Sequence, residues 1–234
     1  MSEFYLSGLS NKDKPWDRHR DLADQVSDLY KGSEFNKYAD RVAMCAKFLE
    51  FALTSGDSGE MVFRLQTAWF CRVRHCPVCQ WRRTLMWKAR LLKALPEITT
   101  TYQTARWIFL TLTLANCELV NLRHTLGLMN KAWERLSKRK VFPALGWIKS
   151  FEVTRNKLDG SAHPHFHILM MVPAGYFKSG SYINQQQWRD LWQSCLSADY
   201  EPWVHVQAVK AKPGSAGGAD PGVGLLIAIK ETLK

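Results

Sequence analysis

Apolar residues recur along the chain at two spacings, 3.6 and 2, and these spacings predict its elements one after another. Residues 1–35 are polar and charged, with a short helix predicted over 17–30. Val42, Cys45, Phe48 and Leu49 then fall at helical spacing and predict a helix over 38–51, ended by Gly56 and Gly59 in the segment 55–60. Residues 61–70 read as a strand. Residues 80–95 read as a basic helix that stops before Pro96, because the residue preceding a proline disfavours the helical conformation.

Residues 107–114, WIFLTLTL, have the β-branched and aromatic content of a buried strand. A long helix follows over 119–138, with Leu122, Leu126, Met129, Trp133 and Leu136 on one face. Residues 146–155 and 163–172 are strands flanking Asn156-Lys157-Leu158-Asp159-Gly160, a turn signal, and so predict an antiparallel hairpin. A helix over 184–196, a strand over 203–210, a glycine-rich loop over 213–224 and a final helix from Leu225 complete the pattern. Strands separated by long helices, with one clear hairpin, give the α+β class: a central antiparallel β-sheet flanked by helices.

Length and composition narrow the picture. At 234 residues and 46% hydrophobic, the chain supports one good core and a small appended module. With 32 Lys+Arg against 21 Asp+Glu, its net charge of +11 favours a polyanionic partner such as nucleic acid. Nothing approaches the roughly 20 apolar residues of a membrane span, and no signal-peptide core is seen, so a cytoplasmic protein without a membrane partner is expected. In a reducing compartment, six cysteines are better read as metal ligands or buried small residues than as a disulfide framework.

Chemistry concentrates in two places. In His163-Pro164-His165-Phe166-His167 the three histidines share one strand face, and Phe166, Ile168, Met170 and Val172 share the other. If the hairpin loop folds symmetrically, with Asn156 facing Ser161, Glu152 lies opposite His165 and Ser150 opposite His167. A one-residue slip would undo this. A carboxylate beside two imidazoles suits Mg²⁺ or Mn²⁺ at a phosphate, and also Zn²⁺. His165 and His167 form the candidate pair; Glu152, His163 and Glu231 compete for third ligand.

The second place is Cys71-Arg72-Val73-Arg74-His75-Cys76-Pro77-Val78-Cys79, where Cys76-x-x-Cys79 aims two thiolates at one ion. Cys71 and Cys45 complete an all-thiolate set for structural Zn²⁺, with His75 as an alternative fourth ligand and a redox CxxC as the plainer reading. Arg72, Arg74, Arg82 and Arg83 with Trp81 suit phosphate contact and base stacking, or equally a solvated helix face over aromatic core residues.

In order, Lys14-Pro15-Trp16-Asp17, Tyr38, Arg41, Cys45, Leu49-Glu50-Phe51, the CPVCQWRR knuckle, Phe109-Leu110-Thr111-Leu112-Thr113 and His165-Phe166-His167 resemble the class 1 Rep family, the rolling-circle replication initiators of small plasmids. The resemblance runs from Lys14 to Lys234. It implies the HUH endonuclease fold with a small zinc-binding subdomain. It divides the chain into an arm (1–37), a zinc-binding subdomain with a basic helix (38–95) and a catalytic domain (96–234). The implied activity is origin binding and divalent-metal-dependent nicking of single-stranded DNA.

In that family a tyrosine attacks the phosphate and stays linked to it. The motif reads Glu-x-x-Lys-Tyr, with the glutamate proposed to activate water in the terminating cleavage. Glu231-Thr232-Leu233-Lys234 matches its first four positions, so the resemblance implies a nucleophile directly after Lys234 and no nicking by the 234-residue form itself. Tyr176 and Tyr182 are the internal substitutes. Single-stranded or hairpin origin DNA, a host helicase and a second copy of the chain are the implied partners. The competing readings are a zinc-stabilised DNA-binding module without catalysis and an HUH transposase or relaxase.

Overall fold

The computed structural model describes Leu6 and residues 13–56, 58–178, 180–209 and 221–233. The chain forms two compact units, Met1–Arg90 and Leu91–Lys234. Among the described residues there are six α-helices and two antiparallel sheets, so the protein is α+β.

In the first unit, α1 (Lys14–Tyr30) and the short α2 (Ala39–Ala43) precede a hairpin of β1 (Leu49–Ser55) and β2 (Met61–Ala68). Ala23, Val42, Cys45, Val73, Cys76 and Val78 form the core, with Trp16, Tyr38 and Phe70 packed against it. The helix expected over 38–51 ends at Ala43. Arg20 Nη1 donates to the Val42 carbonyl (3.1 Å), which also accepts from the Cys45 N–H (3.1 Å), and to the Cys45 carbonyl. Ala46 turns left-handed (φ 58°) and donates its N–H to the Trp69 carbonyl (2.6 Å). Its apparent helical stripe is thus divided: Val42 and Cys45 enter the core, while Phe48 faces water before β1 begins.

α3 (Pro77–Thr101) starts earlier and ends later than expected. Pro77 occupies the first helical position, where a missing N–H costs nothing. Pro96 lies inside the helix rather than beyond it. The hydrogen bond it forfeits would have gone to Leu92, and both residues are exposed, which puts the break on the solvent side of the helix.

The second unit is a four-stranded antiparallel sheet in the order β4-β5-β3-β6, comprising β3 (Arg106–Thr113), β4 (Gly146–Arg155), β5 (Ala162–Val172) and β6 (Val204–Ala208). On one face Ile108, Leu110, Leu112, Phe166, Ile168, Met170 and Val204 pack against α4 (Leu122–Ser137) and α5 (Gln185–Leu196) through Met129, Trp133, Leu136, Trp188 and Trp192. An Asn184/Gln187 capping box starts α5. On the other face Phe109 and Leu169 meet Leu225, Ala228 and Ile229 of α6 (Pro221–Thr232). α6 begins four residues before the expected Leu225, at a proline suited to a helix's first turn. Residues 210–220 of the expected strand end and glycine-rich loop lie outside the described residues.

The turn between β4 and β5 fixes their register. Asn156 donates its N–H to the Ser161 carbonyl (2.8 Å), Asp159 Oδ1 accepts from the Ser161 N–H (2.9 Å), and Gly160 supplies a φ of 74°. A side chain at Gly160 would be strained there.

Candidate metal centres and nucleic-acid interface

β5 sorts its residues by pleat. Phe166, Ile168 and Met170 are fully buried under α4 and α5, and the histidines emerge on the opposite face. Glu152 pairs with His165 and Ser150 with His167, the register that a symmetric loop predicts. Glu152 Oε2 consequently lies 3.4 Å from His165 Nε2 and 3.1 Å from His167 Nε2. All three ligand atoms fall within 4.8 Å of one another. Both imidazoles are about nine-tenths buried, at 11% and 12% exposure, whereas Glu152 is 35% exposed. One side of the cluster is therefore open to an incoming group.

A second layer orients the rings. His165 Nδ1 lies 3.2 Å from the His163 carbonyl, which only accepts, so Nδ1–H donates there and the ring is held with Nε2 facing Glu152. Thr111 Oγ1, from the neighbouring β3, lies 3.4 Å from His167 Nδ1, and the Phe109 ring stacks beneath His167 at 5.5 Å. Burial foremost, and then the neighbouring His165, lower the His167 pKa; Glu152 and the more distant Glu231 oppose the shift without reversing it. Two imidazoles beside a carboxylate form a mixed N/O set, and a divalent ion fits it.

His163 is not one of the three converging ligands, though its ring lies 5.4 Å from that of His165. Its Nδ1 meets Asn116 Oδ1 at 2.7 Å, and its pKa is lowered by burial and by His165. Tyr176 is 2% exposed in the core on the opposite sheet face, its hydroxyl donating to the Ile183 carbonyl (3.2 Å). Thr111 stood in the sequence only as a member of the 109–113 motif, with nothing to place it beside His167. The available signal was two threonines, Thr111 and Thr113, alternating with leucines in an otherwise apolar strand.

Cys45, Cys71, Cys76 and Cys79 converge within 4.8 Å, and none is disulfide-bonded. Cys79 Sγ lies 3.7 Å from both Cys45 Sγ and Cys71 Sγ. Four sulfurs around zinc at ~2.3 Å would stand about 3.8 Å apart, so these spacings fit a tetrahedral Zn²⁺ site. Backbone N–H groups of Cys71, Arg72 and Val73 point at the sulfurs of Cys45 (3.4 Å), Cys79 (3.3 Å) and Cys71 (3.4 Å), as thiolates require. Hydrogen bonds from Cys45 and Cys71 hold Cys76 down at about 2, while Cys45 is pushed up by those to Cys71 and Cys76 and by burial. His75 is instead engaged by the Tyr30 hydroxyl (3.0 Å).

The basic residues around this knuckle divide into two groups. Trp81 packs edge-on against Trp16 (4.9 Å) and stacks on His19 (4.9 Å), and Arg82 lies over Phe70 (4.9 Å) and Trp16 (5.4 Å). Arg72, Arg74 and Arg83 are exposed, free of such packing and available to phosphates.

The second unit's antiparallel sheet displays a His-His-Glu cluster and the chain earlier carries a four-cysteine cluster, two groups that could each hold a metal ion. A family model described as "Replication protein" matches residues 62–234. The chain is 36% identical to "Protein rep" of Lentilactobacillus hilgardii, covering 100% of this chain and 73% of that one. It is 37% identical to "Protein rep" of Lactiplantibacillus plantarum, covering 90% and 66%. It is 32% identical to "Protein rep" of Streptococcus pneumoniae serotype 2 (strain D39 / NCTC 7466), covering 95% and 67%. The chain thus spans about two thirds to three quarters of these relatives' lengths. No solved structure gives a significant match. The chain belongs to the Rep family of replication proteins, the family its ordered motifs resemble. Among the described residues no helix is long and apolar enough to cross a membrane.

Proposed function

We propose that this chain carries the origin-nicking centre of a rolling-circle replication initiator, acting on single-stranded or hairpin DNA. The observation that carries the reading is the convergence of Glu152, His165 and His167 on one open side of a rigid sheet face. A Mg²⁺ or Mn²⁺ ion held there would act as a Lewis acid on the scissile phosphate. Burial keeps the His167 imidazole neutral and able to ligate. Thr111 and the His163 carbonyl hold the two rings in place, so little reorganisation is needed when the strand binds.

Glu231 sits at the end of α6, the helix packed on the histidine side of the sheet, and its charge is felt at His167. A tyrosine directly after Lys234 would stand four positions from Glu231, on one face of a continued helix. Its phenolate oxygen would attack phosphorus, the P–O3′ bond would break, and the leaving 3′ oxygen would take a proton from solvent to become the hydroxyl that primes synthesis. The 5′ phosphate would stay on the tyrosine. Glu231 would later deprotonate water for the terminating cleavage.

The four thiols complete a zinc set of their own, which argues against the histidines being structural zinc ligands. Cys45, Cys71, Cys76 and Cys79 would hold Zn²⁺, and Arg72, Arg74 and Arg83 would contact phosphates. Trp81 and Arg82, packed against Trp16, would support this surface from beneath.

The test compares the 234-residue chain with the same chain carrying a tyrosine after Lys234, on a labelled origin hairpin with Mn²⁺. The extended chain should give a covalent protein–DNA adduct, abolished by His165→Ala or His167→Ala. No adduct from the extended chain, or an adduct on Tyr176 or Tyr182, would overturn the proposal.

A further inference from the structure

The sheet face that carries the histidines also carries an aromatic platform that the nicking chemistry leaves unused. Thr111 pairs with His167 on one side and with His205 on the other, so His167 and His205 occupy one row across β5, β3 and β6. Two strand spacings separate them, about 10 Å. In the adjacent row Thr113 pairs with His165, and both its N–H (3.2 Å) and its hydroxyl (2.9 Å) donate to the Trp203 carbonyl. The backbone at Trp203 is therefore pinned to the strand beside the metal ligands.

The Trp203 side chain is not part of the core. Its neighbours Pro202 and Val204 are buried, but Trp203 is 57% exposed. One ring face lies on His205, nearly parallel at 15° with centroids 5.8 Å apart. The imidazole supports the indole from one side, and among the described residues no ring contact is made to its other side. An indole held flat, half in water, on the polar face of a sheet is an expensive way to finish an edge strand, where charged residues usually serve.

We propose that Trp203, backed by His205, is a base-stacking platform for an unpaired nucleotide of the strand whose phosphate is cut at Glu152, His165 and His167. This rests on the nicking reading and adds a positioning element to it. At about 3.4 Å per stacked nucleotide, the 10 Å row is about three nucleotides of strand, or fewer if the strand is stretched. A base docked on Trp203 thus fixes the register of the scissile phosphate. Stacking tolerates every base because each has a π-face, and purines overlap an indole most.

The experiment places 2-aminopurine at successive positions of a single-stranded origin oligonucleotide and follows its fluorescence, with binding measured in parallel by anisotropy. The protein is the chain as it stands, with Mn²⁺. Quenching is expected at one position within about three nucleotides of the cleavage point. Trp203→Ala should abolish that quenching and weaken binding about tenfold to a hundredfold. Trp203→Phe should restore most of both, and His205→Ala should weaken the quenching. His165→Ala should leave it in place. Circular dichroism confirms that each variant is folded, and Trp203→Gln replaces the alanine variant if that one is not. Quenching that survives loss of Trp203 overturns the platform and leaves the nicking reading standing. Absence of DNA binding by the unsubstituted chain overturns both.

Discussion

Glu152 and His167 meet at 3.1 Å although fifteen residues separate them, because a ten-residue strand and an eleven-residue strand are locked in one register by the turn between them. A slip of one residue would turn Glu152 to the opposite face and leave the imidazoles without a carboxylate. The asparagine, aspartate and glycine of that turn are therefore as much a part of the site as Glu152 and the two histidines.

Neighbouring positions of β5 should respond in opposite ways. Phe166→Ala empties a fully buried site between α4 and α5 and should cost about 3–5 kcal/mol in urea unfolding. His165→Ala should cost ~1 kcal/mol or less in the absence of ions and abolish Mn²⁺ binding. Equal destabilisation by the two would show that the histidine face is packed core.

The histidine cluster sets a pH dependence. Burial and His165 lower the His167 pKa below the usual 6.5. The native state then binds fewer protons than the unfolded chain, so this contribution to stability is complete above pH 6.5 and is lost as pH falls through the lowered value. Urea midpoints of the ion-free protein should hold between about pH 8 and 7 and decline below about 6.5. A midpoint that rises as pH falls through that window, and does not do so in His167→Ala, would contradict the assignment.

Removing zinc should unfold the first unit. Apparent zinc affinities of thiolate sites, about 10–16 kcal/mol, match or exceed the ~5–15 kcal/mol stability of a whole domain. Cys79→Ser or a strong chelator should release one zinc per chain and remove hydrogen-exchange protection from α1 and α2. Protection in β3 and β5 should persist. Retained protection in α1 after zinc loss would make the cysteines simple core residues.

Much of this was legible in the chain. The alternation in residues 163–172 and the turn residues between the two strands fix both the hairpin and the pairing of Glu152 with His165, since period and turn chemistry are local properties. The sheet order was not legible: β3 lies between β5 and β6, and the partners of an apolar strand such as WIFLTLTL depend on tertiary packing. For the same reason Thr111 could not be seen behind His167. The helix expected over 38–51 failed because Cys45 answers to three distant thiols rather than to its own helical face. Trp81 and Arg82 read alike as solvent or core, and only the positions of Trp16, His19 and Phe70 show them packed.

Exposed arginines should govern the salt dependence of DNA binding. Arg72→Gln with Arg83→Gln should weaken binding to all single-stranded sequences alike and reduce the slope of log K against log salt by about 0.7 for each phosphate left without its cation. An unchanged slope would place the phosphates elsewhere.

The central claim is that Glu152, His165 and His167 hold one divalent ion, and pulsed EPR of bound Mn²⁺ tests it without origin DNA or nucleophile. A single Mn²⁺ coupled to two imidazole nitrogens is expected. One coupling should disappear in His165→Ala, the other in His167→Ala, and the affinity should be weakened in Glu152→Gln. Mn²⁺ bound without nitrogen coupling, or with coupling unchanged in both histidine variants, would contradict it.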